Sequence, residues 1–484
     1  MTTPHGKPQL IALVRSAGPV PEAPGIAPKI AGAAQPSAIA DVLNAFNART
    51  VALFPASGQT APSQGRAALP SVASTGLPAS VFHRVIAEDQ KLDALAKALR
   101  GLPVVEAAYV KPAPEPAINR MKPHPAAPSL REQTPDFTGR QGYLESAPGG
   151  IDARYAWTMP GGKGAGVSII DVEGEWRTSQ EDLGSNGGLL AGTAPNDQDW
   201  RNHGTAVIGT CIAAANSFGV TGICPDAKLK MISIFGDENR TSSAAIREAA
   251  ERLSAGDILL IELHYPGPRN GFAPRNDQNG YIAVEWWPDE FDAVQYAVRK
   301  GVIVVEAGGN GAQDLDDPLY EQRDPGFPVT WTNPFRRSNR DSGAILVGAG
   351  APPPGTHNRN FYGPDRSRLD FSNYGSSVDV QGWGREVTTC GYGDLQGGTD
   401  EDRWYTDQFS GTSSASPIIV GTLACLQGIR RAQGAPLLTP AQARNILRQT
   451  GSPQQDGPNG PASQRIGNRP DLKALIAALQ GPVA

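Results

Sequence analysis

Three short segments hold the side chains that nucleophilic catalysis requires. Asp171 closes the apolar run Val167-Ser168-Ile169-Ile170, so its carboxylate is expected at the carboxyl edge of a strand, where α/β sheets present their sites. His203-Gly204-Thr205 opens an Ala-rich apolar stretch read as a helix, Ala206 to Ile212. Ser413 lies in Gly411-Thr412-Ser413-Ser414-Ala415-Ser416-Pro417, directly before the helical run Ile418 to Leu426. A serine at a helix N-terminus sits among free N–H groups and the positive end of the dipole, which stabilise an oxyanion. A hydroxyl is a weak nucleophile until a base takes its proton, and a carboxylate on the other imidazole nitrogen fixes the tautomer that can do so. Taken singly, each segment has an ordinary reading: a turn residue, a capped helix start, an N-cap.

The elements that must bring these groups together fall into two patterns. In residues 9–110, short apolar strands (Leu10 to Arg15, Thr50 to Phe54, Val81 to Ile86, Val104 to Val110) are interleaved with two helical spacings, Ile39-Val42-Leu43-Phe46 and Leu92-Leu95-Ala96-Leu99. That order, β-α-β-β-α-β, predicts a small ferredoxin-like α+β domain. Residues 111–150 are proline-rich without periodicity and are read as an extended linker. Residues 151–484 alternate runs of the kind buried on both faces of a parallel sheet, such as Ile258 to Leu263 and Val302 to Val305, with helical segments. This predicts a three-layer α/β domain. Gly267 to Asn279 and Gly355 to Arg368 are read as surface insertions.

The chain order Asp, His, Ser is one in which a convergent serine-protease triad occurs; the Ser, Asp, His order and Gly-x-Ser-x-Gly of α/β-hydrolase esterases are absent. The segment from His203 through Asn216-Ser217-Phe218-Gly219-Val220-Thr221-Gly222 to Pro225, the Ser413 motif, and Phe371-Ser372-Asn373-Tyr374-Gly375 with Val378-Asp379-Val380 resemble the subtilisin-like serine peptidases. The resemblance implies a serine endopeptidase acting on polypeptides, with Asp171, His203 and Ser413 as its triad. It also implies that Asn310, in Glu306-Ala307-Gly308-Gly309-Asn310-Gly311, is an oxyanion donor beside the Ser413 N–H. Two stretches depart from the family: Val172-Glu173-Gly174 follows Asp171 where a small hydroxylated residue and Gly are usual, and Asn202 precedes the histidine in place of Gly. The alternative is a catalytically silent, peptide-binding relative.

By position, Glu262, Leu263 and His264 with Gly308 and Gly309 match the substrate-binding strands of the family. Glu262 and Glu306 suggest an acidic pocket taking basic or polar side chains; the competing reading is buried carboxylates paired with an internal Arg. Gln141, Asp182 and Asn216 resemble positions that supply oxygen ligands to a structural calcium, ordinary turn residues being the alternative. The N-terminal domain looks like a family prodomain, an intramolecular inhibitor or chaperone removed by autocleavage within the linker.

Bulk properties restrict the remaining classes. The net charge of the 484-residue chain is −5, too small a bias to announce a nucleic-acid partner. No window approaches the length of a membrane span. Met1 to Gln9 is polar and does not read as a Sec signal, so cytoplasmic residence or export by another route is expected. Cys211, Cys224, Cys390 and Cys425 match no zinc spacing and are read mostly as buried thiols, with a Cys211–Cys224 bridge as the alternative.

Overall fold

A computed structural model describes residues 6–15, 36–54, 80–118, 133–184, 187–359 and 361–479. The loop expected between the second and third N-terminal strands, and linker residues 119–132, lie outside them. The described residues form two compact units, one within 6–113 together with 323–331, the other within 114–322 and 332–484.

The smaller unit contains β1 (Gln9–Arg15), α1 (Pro36–Ala45), β2 (Arg49–Ala52), β3 (Ser80–Ile86), α2 (Leu92–Arg100) and β4 (Val105–Lys111). Its antiparallel sheet has the order β2-β3-β1-β4. Leu10, Ala12 and Val14, alternate residues of β1, share one face and pack with Leu92, Leu95 and Leu99 of α2. Residues 323–331 join this unit where the Ala108 N–H of the edge strand donates to Gly326 O at 3.0 Å.

The larger unit runs β5 (Glu115–Pro116), α3 (Ala153–Ala156), β6 (Ser168–Glu173), β7 (Leu189–Ala191), α4 (Gln198–Ile212), β8 (Lys228–Ser233), α5 (Ser242–Arg252), β9 (Ile258–Ile261), β10 (Leu263–Pro266), β11 (Tyr281–Ala283), α6 (Pro288–Arg299), β12 (Ile303–Ala307), β13 (Ile345–Gly350), β14 (Val380–Trp383), β15 (Val387–Cys390), β16 (Tyr405–Phe409), α7 (Thr412–Ala432), α8 (Pro440–Gln449) and α9 (Leu472–Leu479). Its main sheet is parallel, seven strands in the order β14-β13-β12-β9-β6-β8-β7. This is the expected wound α/β layer. Helix α7 is apolar along its length because it is a core helix, buried from Thr412 through Ile429. All four cysteines are free and buried, and Cys224 Sγ donates to Cys211 O instead of forming a bridge.

Several boundaries differ from the sequence reading. Strand β6 does not stop at the apolar run but continues through Asp171 to Glu173, where it still pairs with β8 at Ser233. Helix α4 begins at Gln198, with the Asp197 side chain accepting from Trp200 N, so His203 lies inside the helix and does not open it. The linker is only partly extended: Glu115 and Pro116 add a strand to β10, while Tyr143 and Leu144 are buried in the core of the larger unit.

Candidate active site

Ser413 is set by the start of α7. Gly411, with φ of 121°, turns the chain into the helix, and Ser413 follows in its first turn. Ser413 Oγ lies 2.7 Å from His203 Nε2 and also donates to Ala117 O at 2.5 Å. The Ser413 N–H points at the same Ala117 oxygen, 3.3 Å away. His203 is held by α4, whose close approach to residues 175–176 needs Gly204: a Cβ there would stand 2.3 Å from Glu175 O. Its imidazole is covered edge-on by Phe409 at 5.7 Å.

The carboxylate on the far side of the imidazole is Glu173, not Asp171. Glu173 Oε1 is hydrogen-bonded to His203 Nδ1. Asp171 Oδ2 accepts instead from Trp176 Nε1 at 2.7 Å. Alternate residues of a strand share a face and advance about 6.6 Å per pair, so Glu173 stands one step nearer the carboxyl edge than Asp171 and is a methylene longer. The sequence did carry a signal. Asp171 and Glu173 have the same parity, and Gly174 is required after Glu173 because a Cβ there would fall 2.4 Å from Trp200.

Burial dominates the electrostatics. Asp171, Glu173 and Glu262 are each fully buried and pushed well above the usual carboxyl range, chiefly by desolvation; repulsion from neighbouring carboxylates adds to this for Asp171 and Glu262. Desolvation also depresses His203, to about 3, so the resting ring is neutral.

The loop after β12 is pinned from several sides. Gly309 takes φ of 92°, its N–H donates to Thr412 Oγ1, and Asn373 Nδ2 donates to both Gly308 O and Tyr281 O at 2.8 Å. Asn310 Oδ1 accepts from Thr412 N at 2.9 Å and from Thr412 Oγ1 at 3.0 Å, which places the side chain one residue before Ser413. Its Nδ2 donates to Gln278 Oε1 at 3.2 Å, and Gln278 Nε2 donates to Pro116 O at 3.1 Å. Gln278 comes from the stretch read as a surface insertion, and nothing in its local pattern marked it.

The substrate-strand residues separate into two groups. Leu263 and His264 of β10 pair antiparallel with Pro116 and Glu115. Asn310 N donates to His264 Nδ1 at 3.3 Å, and the ring packs edge-on against Tyr281 at 4.7 Å. Glu262 and Glu306 do not form an acidic pocket. Glu262 Oε1 accepts from Ser416 Oγ at 2.6 Å and Glu306 Oε1 from Glu285 N at 3.3 Å. Both are fully buried, and desolvation raises both carboxyls, so they are not exposed negative charges.

The three residues considered for calcium do not fit a cation in this structure. Asp182 accepts from Asn216 Nδ2 at 2.7 Å with one oxygen and from Val220 N at 2.6 Å with the other. Gln141 Oε1 accepts from Thr221 N, while its Nε2 donates to Tyr143 Oη and Thr221 O. The oxygens thus face N–H donors, whereas calcium needs converging oxygens.

A wound parallel sheet sets a helix-start serine, an imidazole and a buried carboxyl in one hydrogen-bonded line, which defines an α/β protein with a serine–histidine–carboxyl site. The sequence profile of the Subtilase family matches residues 178–468, and the chain belongs to that family, whose members are serine peptidases. Subtilisin BL of Lederbergia lenta is 26% identical over 291 residues, covering 60% of this chain and 84% of the relative. Subtilisin E of Bacillus subtilis (strain 168) is 25% identical over 342 residues, 69% of this chain and 73% of the relative. Two solved structures share the fold. The epidermin leader peptide processing serine protease of Staphylococcus aureus superposes with TM-score 0.53 at 16% identity, covering 99% of this chain and 100% of that one. Fervidolysin of Fervidobacterium pennivorans, described as a keratinolytic enzyme related to subtilisin, gives 0.52 at 17% identity, covering 100% of this chain and 63% of that one.

Proposed function

We propose that this chain is a serine endopeptidase made as a self-processing zymogen, with Ser413 as nucleophile, His203 as general base and acid, and Glu173 as the carboxylate that orients the imidazole. The observation that carries this reading is the continuous line Glu173–His203–Ser413, which ends on a peptide carbonyl, that of Ala117. In this mechanism His203 Nε2 takes the Ser413 proton as Oγ adds to a substrate carbonyl, then delivers it to the leaving amine. Glu173 keeps Nδ1 protonated and stabilises the imidazolium that forms. Ser413 N–H is one donor to the developing oxyanion; Asn310, whose Nδ2 donates to Gln278 Oε1 here, becomes the other by turning its amide towards that oxygen. The substrate is a polypeptide, added as a strand beside β10.

In the same reading the small unit serves as intramolecular inhibitor or chaperone. Its support is the chain path: β4 ends at Lys111, and the strand at Glu115 that lies on β10 begins after residues 112–114. The test is hydrolysis of an unstructured protein such as casein by the purified chain and by Ser413→Ala. Turnover by the wild type alone supports an enzyme; equal inertness of both after removal of the small unit contradicts one.

A further inference from the structure

The segment that follows the small unit lies in the candidate site as a substrate would. Pro116 and Glu115 pair antiparallel with Leu263 and His264, and Ile118 bridges antiparallel to Gly411. The backbone is therefore held on both sides of Ala117. Its carbonyl oxygen receives the Ser413 N–H and Oγ, and Gln278 Nε2 fixes the preceding carbonyl, that of Pro116. Ala117 itself is fully buried. His264 and Tyr281, packed edge-on, add bulk along this strand, and Tyr281 Oη donates to Glu115 Oε1 at 2.8 Å.

We infer that Ala117–Ile118 is the peptide bond this enzyme cuts in its own chain, and that its groove selects a small residue on the amino side of the scissile bond. The inference rests on the peptidase reading and adds the bond and the substrate class. Ser413 Oγ adds to the Ala117 carbonyl carbon as His203 takes its proton. Collapse breaks the Ala117–Ile118 bond, the proton passes to the Ile118 nitrogen, and Ala117 is left as an ester on Ser413. Water then adds with His203 again as base, releasing an Ala117 carboxylate and regenerating the serine. Any larger side chain at 117 must displace packed atoms, since the position has no exposed route.

Intact mass and N-terminal sequencing of the full-length chain test this, using wild type, Ser413→Ala, Ala117→Gly and Ala117→Trp. The expected wild-type products are one fragment ending at Ala117 and one beginning at Ile118. Ser413→Ala stays whole, Ala117→Gly is cut within about tenfold of the wild-type rate, and Ala117→Trp is slowed by more than about tenfold. A first cut at another bond, or Ala117→Trp processed as fast as wild type, overturns the inference. Casein turnover measured in parallel separates the two levels. Digestion that needs Ser413 but follows a cut elsewhere sinks only the choice of bond, whereas an uncut wild type that stays inert after removal of the small unit sinks the peptidase reading with it.

Discussion

Asp171 and Glu173 differ by one methylene and by two positions along β6, and those differences decide which of them meets the imidazole. The closer carboxyl gains a hydrogen bond to His203, while the deeper one is left with an indole N–H. With Glu262 they make three carboxyls raised by burial, and Asp171 and Glu262 are raised further by neighbouring carboxylates. A carboxyl whose folded pKa lies above its unfolded value contributes stability that is fully present below the unfolded value and is lost as pH rises through the folded one. Glu262 starts from an ordinary value of 4.5, and each pH unit between that value and its raised folded one removes about 1.4 kcal/mol of stability. In a Ser413→Ala background, Glu262→Gln keeps an acceptor for Ser416 and removes that ionisation. Its Tm relative to Ser413→Ala should rise steadily from about pH 5 upward. A difference independent of pH would mean that Glu262 is not titrating against burial.

At the scale of elements, the hydrogen-bonded line Glu173–His203–Ser413 depends on how closely α4 lies against the segment after β6. Gly204 permits that approach, and a methyl there would also come within 2.8 Å of Trp176 Nε1, the donor to Asp171. Gly204→Ala is therefore expected to destabilise the larger unit by about 1–3 kcal/mol and to lower kcat by displacing His203; chemical denaturation and peptide turnover measure the two effects. An unchanged kcat would show that the helix yields without moving the ring. The same elements explain what the sequence disclosed. Ser413 and His203 were legible because their motifs are local and lie on helices. Glu173 was not assigned because the apolar run was taken to end the strand at Ile170, yet a strand whose polar groups find partners continues through buried carboxylates. Gln278 and Ala117 reach the site through tertiary pairing of irregular segments, which no short-range periodicity records.

For the whole molecule, alternation of apolar runs and helical spacings made the wound sheet readable. What it hid was the division of labour within the proline-rich stretch, where residues 114–118 belong with the larger unit's strands and residues 133–150 with its core. The late segments of the chain are tied together by charge. Asp379, fully buried at the start of β14, accepts from both Arg337 terminal nitrogens (2.5 and 2.8 Å), from Arg448 at 2.6 Å and from Leu346 N at 2.9 Å. Asp379→Ala would take the shared carboxylate from the partly exposed Arg337 and Arg448 and leave Leu346 N without its acceptor, and is expected to cost about 1.5–3 kcal/mol in urea unfolding. A loss below about 1 kcal/mol would show that the network is replaced by solvent.

Covalent trapping by a fluorophosphonate tests the central assignment most directly, with the adduct located by peptide mass spectrometry in wild type, Glu173→Gln and Asp171→Asn freed of the small unit. An adduct on Ser413 is expected in the wild type, at a similar rate in Asp171→Asn, and slowed by about 10³ or more in Glu173→Gln, because the imidazole there loses its orienting charge. An unlabelled wild type, or a Glu173→Gln chain that reacts normally while Asp171→Asn does not, would contradict the assignment.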